Sequence, residues 1–236
     1  MNIKFLGKWS SNLVRGERNT SFILEDKIVF DFGPHTLESL LDFGIDPNRI
    51  ERVLITHLHM DHFSGIAELF WYRSIYNAKE PLKVYGPKGI KLNTERLLRI
   101  VKTPSSFNTK LIFIEDKRDD FVIPFRANHV VPNNGYRVTY NGKIIFYSGD
   151  TAYSKNVVKG AKNVDLLIHE MTYTDEEKDQ ARFWKHSTYS TVMKVFEESG
   201  AKRLIPVHLS AKSNLIALKI SKERNDIIYP EQSIEF

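Results

Sequence analysis

The fold of this 236-residue sequence is decided by residues 52–62, which read Arg52-Val53-Leu54-Ile55-Thr56-His57-Leu58-His59-Met60-Asp61-His62. The first five residues are mostly aliphatic and β-branched, as in a buried strand, and a helical pattern begins at Phe63. Four of the six residues from 57 to 62 carry an imidazole or a carboxylate, so these groups crowd one strand-to-helix turn. Such a density is typical of a metal site. The predicted ligands on this turn are His57, His59, Asp61 and His62.

Three further candidate ligands occur in the second half of the chain. His129 follows a predicted strand that includes residues 125–128, Asp150 follows the one that ends at residues 147–149, and His208 follows the one at residues 204–207. Because the carboxyl ends of strands in a parallel or mixed sheet meet at one edge, we expect these side chains to join the turn at 57–62. The sequence contains no cysteine, which excludes disulfides, iron–sulfur clusters and thiolate zinc sites. The remaining nitrogen and oxygen ligands suit Zn, Mn or Fe.

Short strands alternate with helical patterns along the chain. The pattern predicts strands over residues 28–32, 52–56, 82–85, 164–169 and 204–207. It predicts helices over residues 37–43, 63–78, 93–101 and 188–199. Asn141-Gly142 between two alternating runs, 135–140 and 143–147, predicts a β-hairpin with a type I′ turn. These elements indicate a layered α/β fold, and without a linker we expect a single domain over residues 1–236.

The composition is that of a globular and mildly basic protein. Hydrophobic residues make up 42% and charged residues 27% of the chain, which excludes an intrinsically disordered class. Lys and Arg number 34 against 29 Asp and Glu, a balance that favours an anionic partner. Neither a run of about 18 apolar residues nor a signal-peptide pattern is present, so we expect a cytoplasmic protein without a membrane partner.

The ligand pattern His57-x-His59-x-Asp61-His62, followed by His129, Asp150 and His208, resembles the metal signature of the metallo-β-lactamase fold superfamily. This resemblance implies an αββα sandwich with two divalent metal ions, Zn²⁺ first and Mn²⁺ or Fe²⁺ as alternatives. The implied ligands of the first ion are His57, His59 and His129. Those of the second ion are Asp61, His62 and His208. The resemblance makes Asp150 the bridging ligand and Asp31 a carboxylate that orients a metal-bound imidazole.

Within the superfamily the chain is most similar to ribonuclease Z, which removes 3′ trailers from precursor tRNA. His169-Glu170-Met171-Thr172 resembles its His-Glu-Ala-Thr motif, and the chain also contains its His-Ser-Thr motif at residues 186–188. Residues 128–137 and 16–19 resemble two further segments of that family. The resemblance implies that Asp61, Glu170 and His186 are catalytic residues and that cleavage leaves a 3′-hydroxyl on the RNA. It implies that Arg18 and Asn19 contact the substrate.

Three departures from ribonuclease Z bear on the substrate. Only 20 residues separate His129 from Asp150, which leaves no room for the basic arm that binds tRNA. The first loop, residues 8–14, and the segment 209–212 after the last ligand also differ. A small or cyclic phosphodiester therefore stays open as an alternative substrate, as does thioester or lactone hydrolysis. A non-catalytic binding module is disfavoured because no predicted ligand is missing.

Two partner surfaces follow from the same reading. The stretch 79–110 contains eight Lys and Arg against two Glu, an imbalance that can follow a phosphate backbone. The expected partner is RNA or a small phosphodiester. The resemblance also implies a homodimer, for which the apolar residues 69–72 are a candidate contact.

Overall fold

The structure is a computed structural model that describes residues 1–235. Its strands are β1 (Asn2–Gly7), β2 (Ser21–Leu24), β3 (Ile28–Phe30), β4 (Arg52–Leu54), β5 (Leu82–Gly86), β6 (Leu111–Glu115), β7 (Val122–Arg126), β8 (Asn134–Tyr140), β9 (Lys143–Tyr147), β10 (Leu166–Glu170), β11 (Leu204–Val207) and β12 (Ser233–Glu235). Its α-helices are α1 (Thr36–Asp42), α2 (Met60–Phe63), α3 (Ile66–Ile75), α4 (Ile90–Ile100), α5 (Lys155–Gly160), α6 (Lys178–Trp184), α7 (Tyr189–Ser199) and α8 (Ala211–Glu223).

The chain divides into two compact units. The first consists of Met1–Gly7, Arg18–Asp116 and the C-terminal residues from Gln232. The second consists of Lys8–Glu17 and Lys117–Glu231. Each unit has its own sheet and its own apolar core. Four of the seven predicted metal ligands lie in the first unit and three in the second.

The first unit has a seven-stranded mixed sheet in the order β12-β1-β2-β3-β4-β5-β6. The strands β3 to β6 are parallel, so their carboxyl ends lie at the same edge. Parallel strands are covered on both faces, and accordingly every residue of β3 is fully buried. Leu40 of α1, Leu69 of α3 and Ile90 of α4 belong to the same apolar cluster as Val53 of β4. This packing fixes β4, whose carboxyl end leads into the turn at 57–62.

The second unit has a five-stranded mixed sheet in the order β11-β10-β9-β8-β7. The strands β9, β10 and β11 are parallel, whereas β8 is antiparallel to both β7 and β9. Val157 of α5, Val195 of α7 and Ala217 of α8 cluster with Phe146 and Leu167 of the sheet. This core holds the carboxyl ends of the three parallel strands, where the predicted site residues Asp150, Glu170 and His208 lie.

The predicted α/β class and most predicted elements are confirmed, with two corrections. The predicted helix over 63–78 is instead two helices, α2 and α3, with Ser64 and Gly65 between them. A Cβ atom at Gly65 would overlap the carbonyl oxygen of Gly33, so this position has no room for a side chain. The predicted helix start at Asn93 is wrong, because α4 begins at Ile90, and the Asn93 side chain donates to the carbonyl oxygen of Gly89.

Within residues 1–235, no helix combines the length and the apolar character that crossing a membrane requires.

Candidate metal centre

The first group of predicted ligands lies on the turn after β4. His57 is fully buried, and its Nε2 atom lies 2.9 Å from Nδ1 of His59. His62 is also fully buried, and its ring centroid lies 4.2 Å from that of His57. Asp61, in the first turn of α2, has a carboxylate oxygen 3.5 Å from Nε2 of His62. The turn thus gathers three imidazoles and one carboxylate of this unit.

Asp31 orients this cluster from the end of β3. It is fully buried, and its carboxylate accepts hydrogen bonds from the backbone N–H of Thr56 at 2.7 Å and from the Thr56 hydroxyl at 2.9 Å. It also accepts from Nδ1–H of His62 at 2.7 Å. The Thr56 hydroxyl, which donates to Asp31, accepts from Nδ1–H of His57 at 3.0 Å. Both rings are therefore held through Nδ1, and a metal ion bound by either ring would be bound through Nε2.

Backbone contacts fix the same turn to the end of β3. The N–H of Phe32 donates to the carbonyl oxygen of His62 at 2.8 Å. A Cβ atom at Gly33 would overlap the carbonyl oxygen of Asp61. Because that neighbour is backbone and not a flexible side chain, the close approach of the two segments requires glycine at position 33.

The second group of predicted ligands lies in the second unit, after β7, β9 and β11. Oδ1 of Asp150 lies 3.5 Å from Nε2 of His208, and Oδ2 lies 3.9 Å from Nε2 of His129. All three residues are buried. Nδ1–H of His129 donates to the backbone carbonyl oxygen of Lys185 at 3.2 Å. Two imidazoles therefore direct Nε2 toward the same carboxylate.

Glu170, the last residue of β10, forms the centre of a hydrogen-bond network in this unit. Its Oε1 accepts from Nδ1–H of His186 at 2.9 Å and from the backbone N–H groups of Thr151 and Ser187. Its Oε2 accepts from the hydroxyl of Thr172 at 2.8 Å. That hydroxyl in turn accepts from Nδ1–H of His208 at 2.8 Å. One buried carboxylate thus orients His186 directly and His208 through a threonine.

Two shifted pKa values follow from this arrangement. Burial raises the pKa of the Glu170 carboxyl, but the charge of His186 and its hydrogen bond outweigh burial and leave that pKa below its usual value. Glu170 is therefore ionised at neutral pH. Burial lowers the pKa of His129, and this effect exceeds the opposing attraction of Asp150. A neutral imidazole is the form that binds a metal ion.

The donor chemistry of both groups fits divalent metal ions. Four of the predicted histidine ligands have Nδ1 held by an oxygen atom, in the pairs His57–Thr56, His62–Asp31, His129–Lys185 and His208–Thr172. Each of the four has Nε2 near another imidazole or a carboxylate of its own unit. An oxygen partner on the outer nitrogen is what metal-binding histidines almost always have.

His186 lies beside the predicted ligands of the second unit. Its ring is parallel to that of His208, with centroids 5.4 Å apart. Ligand atoms of Asp150, His186 and His208 lie within 4.8 Å of one another. The His186 side chain keeps 13% of its surface exposed, in contrast to its buried neighbours. It is therefore placed to meet a molecule from solvent.

The two predicted substrate contacts, Arg18 and Asn19, are partly engaged with the protein itself. The Arg18 guanidinium donates to the hydroxyl of Ser39 and pairs with Asp42 at 2.8 Å. Asn19 is buried. Of the predicted basic stretch, the side chains at 79, 88, 91, 96, 99, 102 and 110 are exposed, and that at 83 is half-buried.

Sequence reasoning missed two threonines that link a carboxylate to a histidine. Thr56 links Asp31 to His57, and Thr172 links Glu170 to His208. Thr56 was read only as the end of a strand. The detectable signal is a threonine within two residues of a buried histidine or glutamate at a strand end.

Imidazoles and carboxylates at the ends of parallel strands, on two mixed sheets flanked by helices, define a metallo-β-lactamase-type hydrolase. The family model of the β-lactamase superfamily domain matches residues 27–209, which is most of the chain. The chain belongs to this family. The predicted fold class and the predicted class of enzyme are confirmed.

Individual relatives are named ribonuclease Z. That of Limosilactobacillus fermentum is 27% identical over 297 aligned positions, which cover 99% of this chain and 94% of the relative. That of Bacillus subtilis is also 27% identical and covers 96% of this chain and 94% of its own length. The crystal structure of the short form of human tRNase Z has a TM-score of 0.81 at 25% identity and covers 100% of this chain and 99% of its own. The L. fermentum alignment is longer than the chain, so that relative has segments without a counterpart here.

Proposed function

We propose that this protein is a divalent-metal-dependent phosphodiesterase of the ribonuclease Z type, which cuts the 3′ trailer from precursor tRNA. The observation that carries the proposal is the buried Glu170 side chain, whose Oε1 lies 2.9 Å from Nδ1 of His186, beside Asp150 and His208. Lactone or thioester hydrolysis has no evident use for such a pair. Relatives named ribonuclease Z, similar over nearly the whole chain, support the same substrate class.

The proposed ligands are those that the sequence predicts. The first ion would be held by His57, His59 and His129. The second would be held by Asp61, His62 and His208. Asp150 would bridge the two ions. Ligands of nitrogen and oxygen alone suit Zn²⁺, Mn²⁺ and Fe²⁺, and we propose Zn²⁺ first, as the family resemblance implies.

In this proposal the chain's own residues position the reactants and move one proton. Two divalent ions, when bound, would polarise the phosphoryl oxygens and lower the pKa of a coordinated water. Asp61 orients the attacking water. As the water oxygen bonds to phosphorus and its proton is released to solvent, the bond from phosphorus to the 3′ oxygen breaks, and His186 gives its own proton to that oxygen through Nε2. Glu170 keeps the proton of Nδ1 in place and so fixes the tautomer. The products are a 3′-hydroxyl and a 5′-phosphate.

Arg18 and Asn19 are the proposed contacts with RNA in the first unit. The hydrogen bond between Arg18 and Asp42 is exposed, and exposed ion pairs contribute little stability. Arg18 can therefore leave Asp42 and bind a phosphate of the RNA at little cost in free energy. A precursor tRNA substrate would place the enzyme in the cytoplasm.

A homodimer is the proposed assembly, and α3 offers a surface for it. Leu69 and Phe70 of the predicted apolar face are buried in the unit's own core, whereas Trp71 and Tyr72 are half-buried. Those two line an apolar groove together with Leu37 and Ile75. Sedimentation velocity of the protein and of the Trp71→Ser/Tyr72→Ser variant tests this. We expect a dimer that the double substitution dissociates, and a monomeric parent would contradict it.

The substrate test compares three compounds with metal added and with chelator. The compounds are a precursor tRNA with a 3′ trailer, bis(p-nitrophenyl) phosphate and a simple thioester. We expect metal-dependent hydrolysis of both phosphodiesters and none of the thioester. Hydrolysis of bis(p-nitrophenyl) phosphate without cleavage of RNA would instead favour a small phosphodiester, as the compact β8–β9 hairpin between His129 and Asp150 suggests.

His186→Ala is the variant that tests the proposed proton transfer. It should keep its metal and lose most activity on both phosphodiesters. Hydrolysis at the parental rate would contradict the assigned role.

A further inference from the structure

Four consecutive exposed residues, Arg182 to Lys185, directly precede His186. Two of them are large aromatic side chains, Phe183 with 72% and Trp184 with 51% of its surface exposed. Within residues 1–235, Tyr76 is the other aromatic residue among the strongly exposed large hydrophobic side chains. Exposing this much aromatic surface forfeits hydrophobic stabilisation, so the pair is poorly explained by folding.

The backbone fixes this aromatic pair relative to His186. Helix α6 ends at Trp184, and Lys185 takes a left-handed conformation with φ of 54°. The N–H of His186 then donates to the carbonyl oxygen of Ala181 at 2.9 Å. The rings of Phe183 and Trp184 meet edge to face, with centroids 4.9 Å apart. The pair is therefore a pre-ordered surface, two or three residues from the proposed proton donor.

Charge favours a nucleic acid over a protein on this surface. Arg182 and Lys185 place a cation on each side of the two aromatic residues. Aromatic side chains interleaved with cations bind single-stranded nucleic acid, since the rings stack on bases while the cations meet phosphates. A contact between protein chains would instead favour a larger continuous apolar patch.

We infer that Phe183 and Trp184 form a stacking surface for an unpaired base of the RNA, next to the phosphodiester on which His186 acts. The inference rests on the proposed function for the nature of the ligand. It adds to that function a contact that recognises the base and tolerates any sequence, because every base has a stacking face. Removing one such contact should weaken binding by about 10- to 100-fold.

The test uses a short single-stranded RNA and the full chain carrying Asp61→Ala, so that binding is measured without cleavage. We expect the RNA to quench tryptophan emission, and Trp184→Phe to abolish the quenching. Phe183→Ala/Trp184→Ala should weaken binding about 10- to 100-fold, whereas Phe183→Tyr/Trp184→Phe should retain it. Leu215→Ala is the matched control, because Leu215 is an apolar side chain of the same unit with 67% of its surface exposed. An RNA with an abasic site should bind the parent more weakly than the intact strand.

Three results would overturn the inference. One is equal RNA affinity for the parent and Phe183→Ala/Trp184→Ala. Another is equal affinity of the parent for the RNA with the abasic site and for the intact strand. A third is dissociation of a dimer by the same double substitution, which would make the pair a contact between copies of the chain. Failure of the proposed function is distinguishable, since quenching without cleavage of precursor tRNA by the protein with Asp61 intact would refute the RNA-processing role alone.

Discussion

Nδ1 of His186 lies 2.9 Å from Oε1 of Glu170, and the carboxylate that holds it is fully buried. Backbone N–H groups of Thr151, Thr172 and Ser187 donate to the same carboxylate. An ionised group can be buried when it is fully hydrogen-bonded, and this one is. The imidazole is therefore held in one tautomer and one orientation.

Glu170→Gln should lower kcat by about 10²- to 10⁴-fold, because a neutral amide no longer stabilises protonated His186. The metal content at saturating metal should not change, because the side-chain oxygen of the introduced glutamine can still accept from the Thr172 hydroxyl that holds His208. Steady-state kinetics on bis(p-nitrophenyl) phosphate and metal analysis check this. Glu231→Gln, at an exposed position, is the control. Parental kcat in Glu170→Gln would show that the pair is structural only.

Stability in acid should depend on the same carboxyl group. The pKa of Glu170 lies below its ordinary value of 4.5 in the folded protein, so its ionised form stabilises the fold above pH 4.5. That contribution is lost as the pH falls from 4.5 through the lower folded pKa. Thermal unfolding in chelator should thus show a smaller loss of Tm with acid for Glu170→Gln than for the parent. An equal loss of Tm with acid in the two proteins would contradict this expectation.

Asp31→Asn should weaken metal binding by about 10- to 100-fold, because Asp31 holds His62 directly and His57 through Thr56. Competition with a chromophoric chelator measures the change. Asp120→Asn, which changes an exposed carboxylate in the same way, is the matched control variant. Unchanged affinity in Asp31→Asn would mean that the two rings are oriented without it.

Gly33→Ala should abolish metal binding or folding, since its Cβ atom would displace the backbone of Asp61. Circular dichroism and metal analysis of the purified variant check this. Gly142→Asn is a control in the other unit, where φ is 74° and no atom lies within reach of a Cβ; asparagine tolerates that conformation. A Gly33→Ala protein with parental metal content would contradict the close approach.

Elements with strong local signals were predictable from the sequence. The hairpin β8–β9 follows from Asn141-Gly142, and the turn at 57–62 follows from its strand and its ligands. Strand β12 was not predicted, because its three residues pair with β1 across almost the whole chain and carry no periodicity of their own. Helix α4 begins earlier than predicted, directly after Gly89, whose φ is 95°. The spacing of apolar residues does not reveal such a left-handed backbone conformation.

In the candidate site, too, features set by local sequence were predictable and contacts formed only on folding were not. The sequence predicts that His129, Asp150 and His208 lie at the ends of strands, because the end of a strand is set by the local residue pattern. The links through Thr56 and Thr172 depend on side chains that meet only after folding. The exposure of Phe183 and Trp184 was likewise invisible, because an aromatic residue in a helical pattern is ordinarily core.

The central claim is that this chain cuts precursor tRNA by metal-dependent hydrolysis. The most direct measurement incubates a 5′-labelled precursor tRNA with the protein, maps the cut to the nucleotide and determines the new 3′ end. The account predicts one cut just after the discriminator base, with a 3′-hydroxyl, which chelator or Asp61→Ala removes. An uncut precursor, with bis(p-nitrophenyl) phosphate still hydrolysed, or a cut that leaves a 3′ phosphate, would contradict it.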